Sequence, residues 1–133
     1  MGQVKISDLS VGDWVLNRRG VPTKVQVIVS EGNMRCGEDA KPEHSVHIWV
    51  SDVEPIPITP EILEKNGFVK NGAYTEWNIG EWDERPFIGV SLERQSLRVK
   101  HFGNDIFIEG KELFVHQLQH ALRLASVEKE IEL

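Results

Sequence analysis

Three prolines close together in the middle of the chain constrain its fold more than any other feature. They are Pro55, Pro57 and Pro60, within six residues. A residue that precedes proline is pushed out of the helical region, so the backbone here runs extended and stiff. We therefore predict a boundary at this segment, with an N-terminal domain over residues 1–57 and a C-terminal domain over residues 58–133.

The same segment predicts where the next element begins. Thr59 can accept a hydrogen bond from a free backbone N–H, and Pro60 at the first helical position sacrifices no intrahelical bond. A short helix is therefore expected over about residues 60–66, and Gly67 is well placed to end it in a left-handed conformation.

Residues 4–57 alternate short β-like runs with turn signals. Apolar or alternating runs occur at 14–16, 24–29 and 45–50, and no helical pattern interrupts them. Four or five short strands without a covering helix bury apolar surface best as a curled sheet, so we expect a small SH3-like β-barrel. Trp14 and Trp49 are the expected anchors of its core.

Residues 73–125 read as an antiparallel β-meander covered by a C-terminal helix, which makes the fold class α+β. Strands are expected near residues 74–77, 86–92, 97–102 and 106–108, joined by short hairpin loops. A helix over residues 111–125 has an apolar stripe formed by Phe114, Leu118, Ala121, Leu122 and Ala125, widened by Leu113, Val115 and Leu124. The solvent-facing side is expected to carry Glu112, His116, Gln119, His120 and Arg123.

The end of the chain leaves two alternatives open. Residues 128–133 either return as an edge strand or fray. An unpaired edge strand in this region could pair across a two-fold axis, so a homodimer is one possible assembly.

Composition restricts the environment in which the chain works. No apolar run approaches the roughly 20 residues that a membrane span needs, and residues 1–10 lack a signal-peptide pattern. The single cysteine, Cys36, excludes an intramolecular disulfide framework and fits a reducing compartment. We therefore expect a cytoplasmic protein with no membrane contact.

The distribution of charge disfavours nucleic acid as a partner, because non-specific affinity for nucleic acids is mainly cationic. The 133 residues carry a formal charge of −6. Residues 1–57 hold six basic and eight acidic side chains, a net −2, and residues 58–133 hold nine and thirteen, a net −4. A local basic cluster of Arg18, Arg19 and Lys24 nevertheless keeps open the alternative of a nucleic-acid-associated module that uses the barrel.

Two segments are candidate surfaces for a protein partner. The first is an acidic loop beside two tryptophans, because exposed tryptophans often anchor interfaces. Its candidate residues are Trp77, Glu81, Trp82 and Asp83, with Glu76 and Glu84 in the same carboxylate cluster. The second is the polar face of the C-terminal helix, with His116, His120 and Arg123.

The histidines on that helix also raise a metal hypothesis. His116 and His120 stand at i and i+4, a spacing at which two imidazoles can share a metal, and Glu112 lies one turn earlier. The glutamate that a zinc-protease helix needs after the first histidine is replaced by Gln117. A metal-dependent hydrolase is therefore kept only as a second alternative.

The leading hypothesis is a non-catalytic interaction or accessory module that binds a protein. No nucleophile elbow, phosphate-cradling glycine loop or dinucleotide fingerprint occurs in the sequence. We accordingly expect no enzymatic activity, no cofactor and no bound metal.

Three stretches carry a resemblance to a known family: residues 8–15 (DLSVGDWV), 53–68 (VEPIPITPEILEKNGF) and 115–122 (VHQLQHAL). In these the chain resembles a family of small uncharacterised proteins of gut Bacteroides-type genomes, often encoded beside prophages and mobile elements. It departs from them at Pro60, where such proteins more often carry an acidic residue, which fits the same helix start. The resemblance implies the order of the elements and a bacterial or phage cytosolic origin, and it implies no activity.

Overall fold

The computed structural model describes residues 8–30, 32–38, 42–71, 76–79, 87–101, 104–109, 112–125 and 130–133. The chain divides into two units, Met1–Ile56 and Pro57–Leu133. Each unit contains one antiparallel sheet, and the second also contains both α-helices. The predicted α+β class is therefore confirmed.

The sheet of the first unit has four strands that pair in chain order. They are β1 (Trp14–Leu16), β2 (Pro22–Ser30), β3 (Asn33–Gly37) and β4 (Val46–Trp49). One 3₁₀ helix at Pro42–His44 precedes β4 and another at Val50–Asp52 follows it. The backbone of Glu54 then bonds to Leu16 in both directions, at 2.8 and 2.9 Å, on the edge of β1 that β2 does not use.

One face of this sheet forms the core of the first unit. The buried apolar side chains are Leu9, Val15, Val25, Met34, Cys36 and Val53. Strand alternation puts β3 residues Met34 and Cys36 inside and Arg35 outside. The pairing of β2 shifts register twice, between Val25 and Val27 and again after Ile28, which is typical of β-bulges.

Trp49 is not a core anchor, so that prediction is wrong. Its residue is 52% exposed, because it pairs with Asn33 and thus shares the phase of the outward-facing Arg35. The neighbouring Ile48 pairs with buried Met34 and packs against the core instead. Trp14 is half-buried, since Val15 takes the fully buried position in β1.

The predicted barrel is not confirmed. Within the described residues, β4 pairs with β3 alone, and the ladder of four strands contains no pairing that closes it. The observed architecture of the first unit is a four-stranded antiparallel sheet with an additional bridge from Glu54 to β1.

The second unit contains an antiparallel meander in which every strand pairs with its neighbours in the chain. The strands are β5 (Val69–Asn71), β6 (Glu76–Ile79), β7 (Phe87–Ser91), β8 (Ser96–His101) and β9 (Asn104–Glu109). β7 is buried along its whole length, as expected for the central strand of a covered sheet. The meander expected from the short loops is thereby confirmed.

The two α-helices are α1 (Pro60–Lys65) and α2 (Val115–Leu124). As expected, the Thr59 hydroxyl accepts a hydrogen bond from the Ile62 N–H at 3.3 Å, and Gly67 follows α1 with a φ of +85°. Neither described helix has the length and apolar character that crossing a membrane requires.

Helix α2 begins four residues later than the sequence predicts. Before it, the Leu113 N–H donates to Gln95 Oε1 at 2.6 Å, and the Leu113 carbonyl accepts from the Ile58 N–H at 3.2 Å. These bonds hold Leu113 in an extended segment. The helix starts at Val115, where the Gln117 side chain accepts a bond from the Phe114 N–H at 2.9 Å.

Residues 130–133 form neither a strand nor part of a helix, and they do not fray either. Residues 130–133 dock on the end of α1 through Asn66. Its Nδ2 donates to the carbonyls of Glu132 and Ile62, both at 2.7 Å, and its Oδ1 accepts from the Glu132 N–H at 2.7 Å. Ile131 is buried beside this contact.

We expect Asn66→Ala to lower the free energy of unfolding by about 1–3 kcal/mol, because the part-buried N–H and carbonyl of Glu132 lose their side-chain partner. Urea denaturation of the full chain measures the change. Lys65→Ala is the matched control, since its exposed bond to the Leu133 carbonyl contributes within about 0.5 kcal/mol. Equal effects of the two variants would contradict the role given to Asn66.

Candidate functional site

The face of the first sheet opposite the core collects cationic and aromatic side chains. Paired residues on antiparallel strands project to the same face. The register pairs Trp14 with Lys24, and it pairs Arg35 with both Val27 and His47. We call this the outer face, and it includes Trp14, Lys24, Val27, Asn33, Arg35, His47 and Trp49, with the Leu16–Glu54 bridge at its β1 edge.

The two permanent cations of the outer face are held by specific neighbours. The Lys24 ammonium lies 5.3 Å from the centre of the Trp14 ring, a cation–π contact. Arg35 donates from Nε to the Ser45 hydroxyl and from Nη2 to the Ser45 carbonyl, each at 3.0 Å. Both charges are therefore kept on the sheet surface.

Trp49 is supported on two sides while half of its surface is in solvent. Its ring meets the His47 ring edge-on, with centroids 5.8 Å apart at 66°. A Cβ added to Gly32 would lie 3.9 Å from Trp49 Cε3, so the ring rests beside the β2–β3 turn. The Val50 N–H donates to the Gly32 carbonyl at 2.9 Å and holds the end of β4 against that turn.

Charge is segregated within the first unit. None of the strands β1 to β4 contains an aspartate or a glutamate, whereas two of their residues, Lys24 and Arg35, are cationic. Glu38 lies in a bend after β3, Asp52 lies in the 3₁₀ helix after β4, and Glu54 bridges to the edge of β1. The net −2 of residues 1–57 therefore averages over four strands that carry no negative side chain.

The residues of the predicted basic cluster are divided between a turn and a strand. Arg18 and Arg19 lie in the β1–β2 turn, and each faces a carboxylate at 3.9 Å, Asp52 for Arg18 and Glu38 for Arg19. Both arginine side chains are largely exposed, and ion pairs of this kind contribute little. Lys24 alone of the three belongs to the outer face.

The helix surface predicted around His116 is smaller than expected. His116 is only 6% exposed, and Gln119 is equally buried, so placing them on the wet side is wrong. The His116 ring stacks on Phe114 at 6.0 Å and meets the His120 ring edge-on at 5.9 Å. Of the three partner-surface candidates on this helix, His120 is half-buried and Arg123 is exposed, so these two keep access to solvent.

The tryptophan and carboxylate surface lies mostly outside the described residues. Glu81, Trp82, Asp83 and Glu84 all fall there. Trp77 is half-buried and pairs with buried Val90, so it projects to the same face of the sheet as Val90. Glu76 is not part of a solvated acidic cluster, because its carboxylate bonds to Arg98 at 2.9 Å and its side chain is only 16% exposed.

The metal hypothesis has no complete ligand set in the part of the chain that the structure describes. There, no three or more His, Cys, Asp or Glu residues stand together as a metal site would require. His116 and His120 are neighbours, but Glu112 does not complete a group with them. Cys36 is buried in the core, and burial raises the pKa of its thiol to about 11.

Comparison with known proteins places this chain in no family. No protein-family model, no curated protein and no solved structure matches it. The outer face and the chemistry of its residues are therefore the basis for inferring a function.

The sequence does not identify three residues of the outer face, Arg35, His47 and Trp49, as site residues. A signal for Arg35 was present, because it alternates with the apolar Met34 and Cys36 in a strand-like run. His47 and Trp49 share the same period in β4. Which phase of β4 faces the core depends on its pairing with β3, and the sequence does not contain that information locally.

Gly89 makes room for the Glu76–Arg98 ion pair across β7. A Cβ at Gly89 would lie 2.7 Å from Glu76 Oε1 and 2.8 Å from Glu76 Cδ. We expect Gly89→Ala to lower the free energy of unfolding by about 1–3 kcal/mol, because the carboxylate must move away from Arg98.

The double variant Glu76→Ala/Gly89→Ala isolates this cause. In the Glu76→Ala background the added methyl group meets no carboxylate, so the cost of Gly89→Ala should largely vanish in chemical denaturation. Additive costs of the two substitutions would mean that Gly89 acts for another reason.

The raised pKa of Cys36 predicts a pH effect. Between its ordinary value of 9.0 and about 11, the thiol ionises in the unfolded chain while it stays protonated in the fold. Stability should therefore fall in this window by up to about 1.4 kcal/mol per pH unit relative to Cys36→Ala, which has no thiol. Urea denaturation at pH 8, 9.5 and 11 measures the difference, and a constant difference would contradict the burial of the thiol.

Proposed function

We propose that this chain is a non-catalytic binding module that contacts its partner through the outer face of the first sheet. The observation that carries the proposal is the half-exposed Trp49 on a face where strands β1 to β4 supply Lys24 and Arg35 and no carboxylate, with Glu54 at the opposite, β1 edge. A large exposed aromatic ring costs free energy in water, and such rings are enriched where a partner covers them.

We further propose that the first unit is an SH3-like barrel, which would leave the outer face as its exposed wall. The bridge between Glu54 and Leu16 supports this. In a flat sheet, Glu54 would lie about 19 Å from β4, which ends at Trp49. The five residue steps between them, three through the 3₁₀ helix Val50–Asp52, reach only about 13 Å. This difference supports a sheet that curls towards closure.

The chemistry of the described residues supports binding rather than catalysis. The thiol of Cys36 is buried and protonated at neutral pH, so it is a poor nucleophile. The chain also has none of the nucleophile or phosphate-binding motifs. A lone buried thiol suits the reducing cytoplasm, which we propose as the compartment.

The outer face has stronger support than the helix surface that the sequence predicts around His116. Because His116 is buried, the helix surface available to a partner is reduced to His120 and Arg123. The outer face instead offers several adjoining side chains on a rigid sheet, and rigid elements position binding groups better than loops.

The proposal is tested by affinity capture from a bacterial lysate with the immobilised full chain. Trp49→Ala should reduce at least tenfold the material that the wild type retains, measured by protein mass spectrometry and by nucleic-acid absorbance. Phe107→Ala is the matched control, because Phe107 is 54% exposed against 52% for Trp49 and lies in the second unit.

Retention by Phe107→Ala should equal that of the wild type. Equal retention by Trp49→Ala and the wild type would remove the outer face from the proposal. Thermal melts of both variants should match the wild type, because the side chains removed are half in solvent.

A further inference from the structure

We propose that the outer face binds single-stranded nucleic acid, with an unpaired base stacked on Trp49 and the phosphate backbone along Lys24 and Arg35. This inference rests on the proposed function and names the class of its partner. It depends on three features of the same sheet: its charge, its aromatic group and the polarity of the residues between them.

The charge of the outer face complements a phosphate backbone. Lys24 and Arg35 stand on neighbouring strands, and His47 pairs directly with Arg35. Strands β1 to β4 supply no carboxylate, and Glu54, which bridges to Leu16, lies at the β1 edge, the end of the pairing order opposite to β4. Lys24 and Arg35 therefore provide local positive charge on β2 and β3, although residues 1–57 carry a net −2.

Trp49 supplies the stacking platform that single strands use. Its ring is supported by His47 and by the Gly32 turn, and 52% of its residue surface is exposed. Bases of a duplex are already stacked on each other, whereas unpaired bases can stack on an aromatic side chain. Trp14 has a different role, because Lys24 already lies over its ring.

The residues between the two tryptophans favour nucleic acid over a protein partner. Protein interfaces have a core in which charged groups are depleted. Here the paired positions that separate Trp14 from Trp49 are mainly cationic or polar, and the apolar Val27 is followed in β2 by exposed Ile28 and Val29. A polar, cationic strip with an aromatic group at its end matches a single-strand groove better than the core of a protein interface.

The test is binding of a fluorescently labelled oligothymidylate of about 15 nucleotides to the full chain, followed by anisotropy at low salt. The wild type should bind, with affinity that falls as salt rises. Trp49→Ala should weaken binding about tenfold or more, and Trp49→Phe should restore most of it, because phenylalanine also stacks.

The cationic contribution is tested with a matched pair of lysines. Lys24→Gln should weaken binding several-fold and lower the slope of affinity against salt by about one. Lys70→Gln, at an exposed lysine in β5 of the second unit, should change neither. This comparison separates a local site from general attraction to a cationic surface.

Two further ligands, a duplex and a polyglutamate peptide, test whether binding is specific for single-stranded nucleic acid. A duplex of the same length should bind more weakly than the single strand, and a polyglutamate peptide should bind weakly and without dependence on Trp49. Equal binding of duplex and single strand with no effect of Trp49→Ala, tighter binding of polyglutamate, or no binding of oligothymidylate at low salt would each overturn it. If lysate capture still depends on Trp49 in those cases, the proposed function stands with a protein partner, and otherwise both fail.

Discussion

The extended proline segment is hydrogen-bonded into each of the two units, and both folds depend on it. Glu54 exchanges two backbone bonds with Leu16 in the first unit, and Ile58 donates to Leu113 in the second. Since proline has no N–H, the bonds fall on the residues that are not proline. The segment therefore completes the edge of one sheet and fixes the extended residues that precede α2, which is more than a linker would do.

The exposure of side chains on the outer face depends on the bulges of β2 and on the edge position of β4, as well as on which residues are present. The two register shifts in β2 leave Val27, Ile28 and Val29 all exposed, although a regular strand would hide alternate residues. β4 pairs with β3 alone in the described sheet, so Trp49 stays uncovered beside its turn. A sheet that buries its apolar residues on one side thus has room for aromatic and cationic groups on the other.

Much of the fold was predictable, because its signals act over a few residues. The Thr59 cap, the left-handed Gly67 and the meander of the second unit all follow from local chemistry, and the structure has each of them. The failures at Trp49, His116 and Gln119 concern which side of an element faces the core. The hydrophobicity of a tryptophan predicts burial, and the polarity of a histidine predicts exposure. Strand pairing instead exposes Trp49, and packing buries His116.

From local patterns alone, the chain has two β-rich parts around a stiff proline segment, one short capped helix, one amphipathic helix and a lone thiol. The basic residues visible in those patterns were Arg18, Arg19 and Lys24, and only Lys24 belongs to the surface that carries the proposal. Arg35, His47 and Trp49 meet on one face because of strand register. Register is a long-range property set by pairing between strands, so a face that gathers residues 14 to 49 exists only once the sheet has formed.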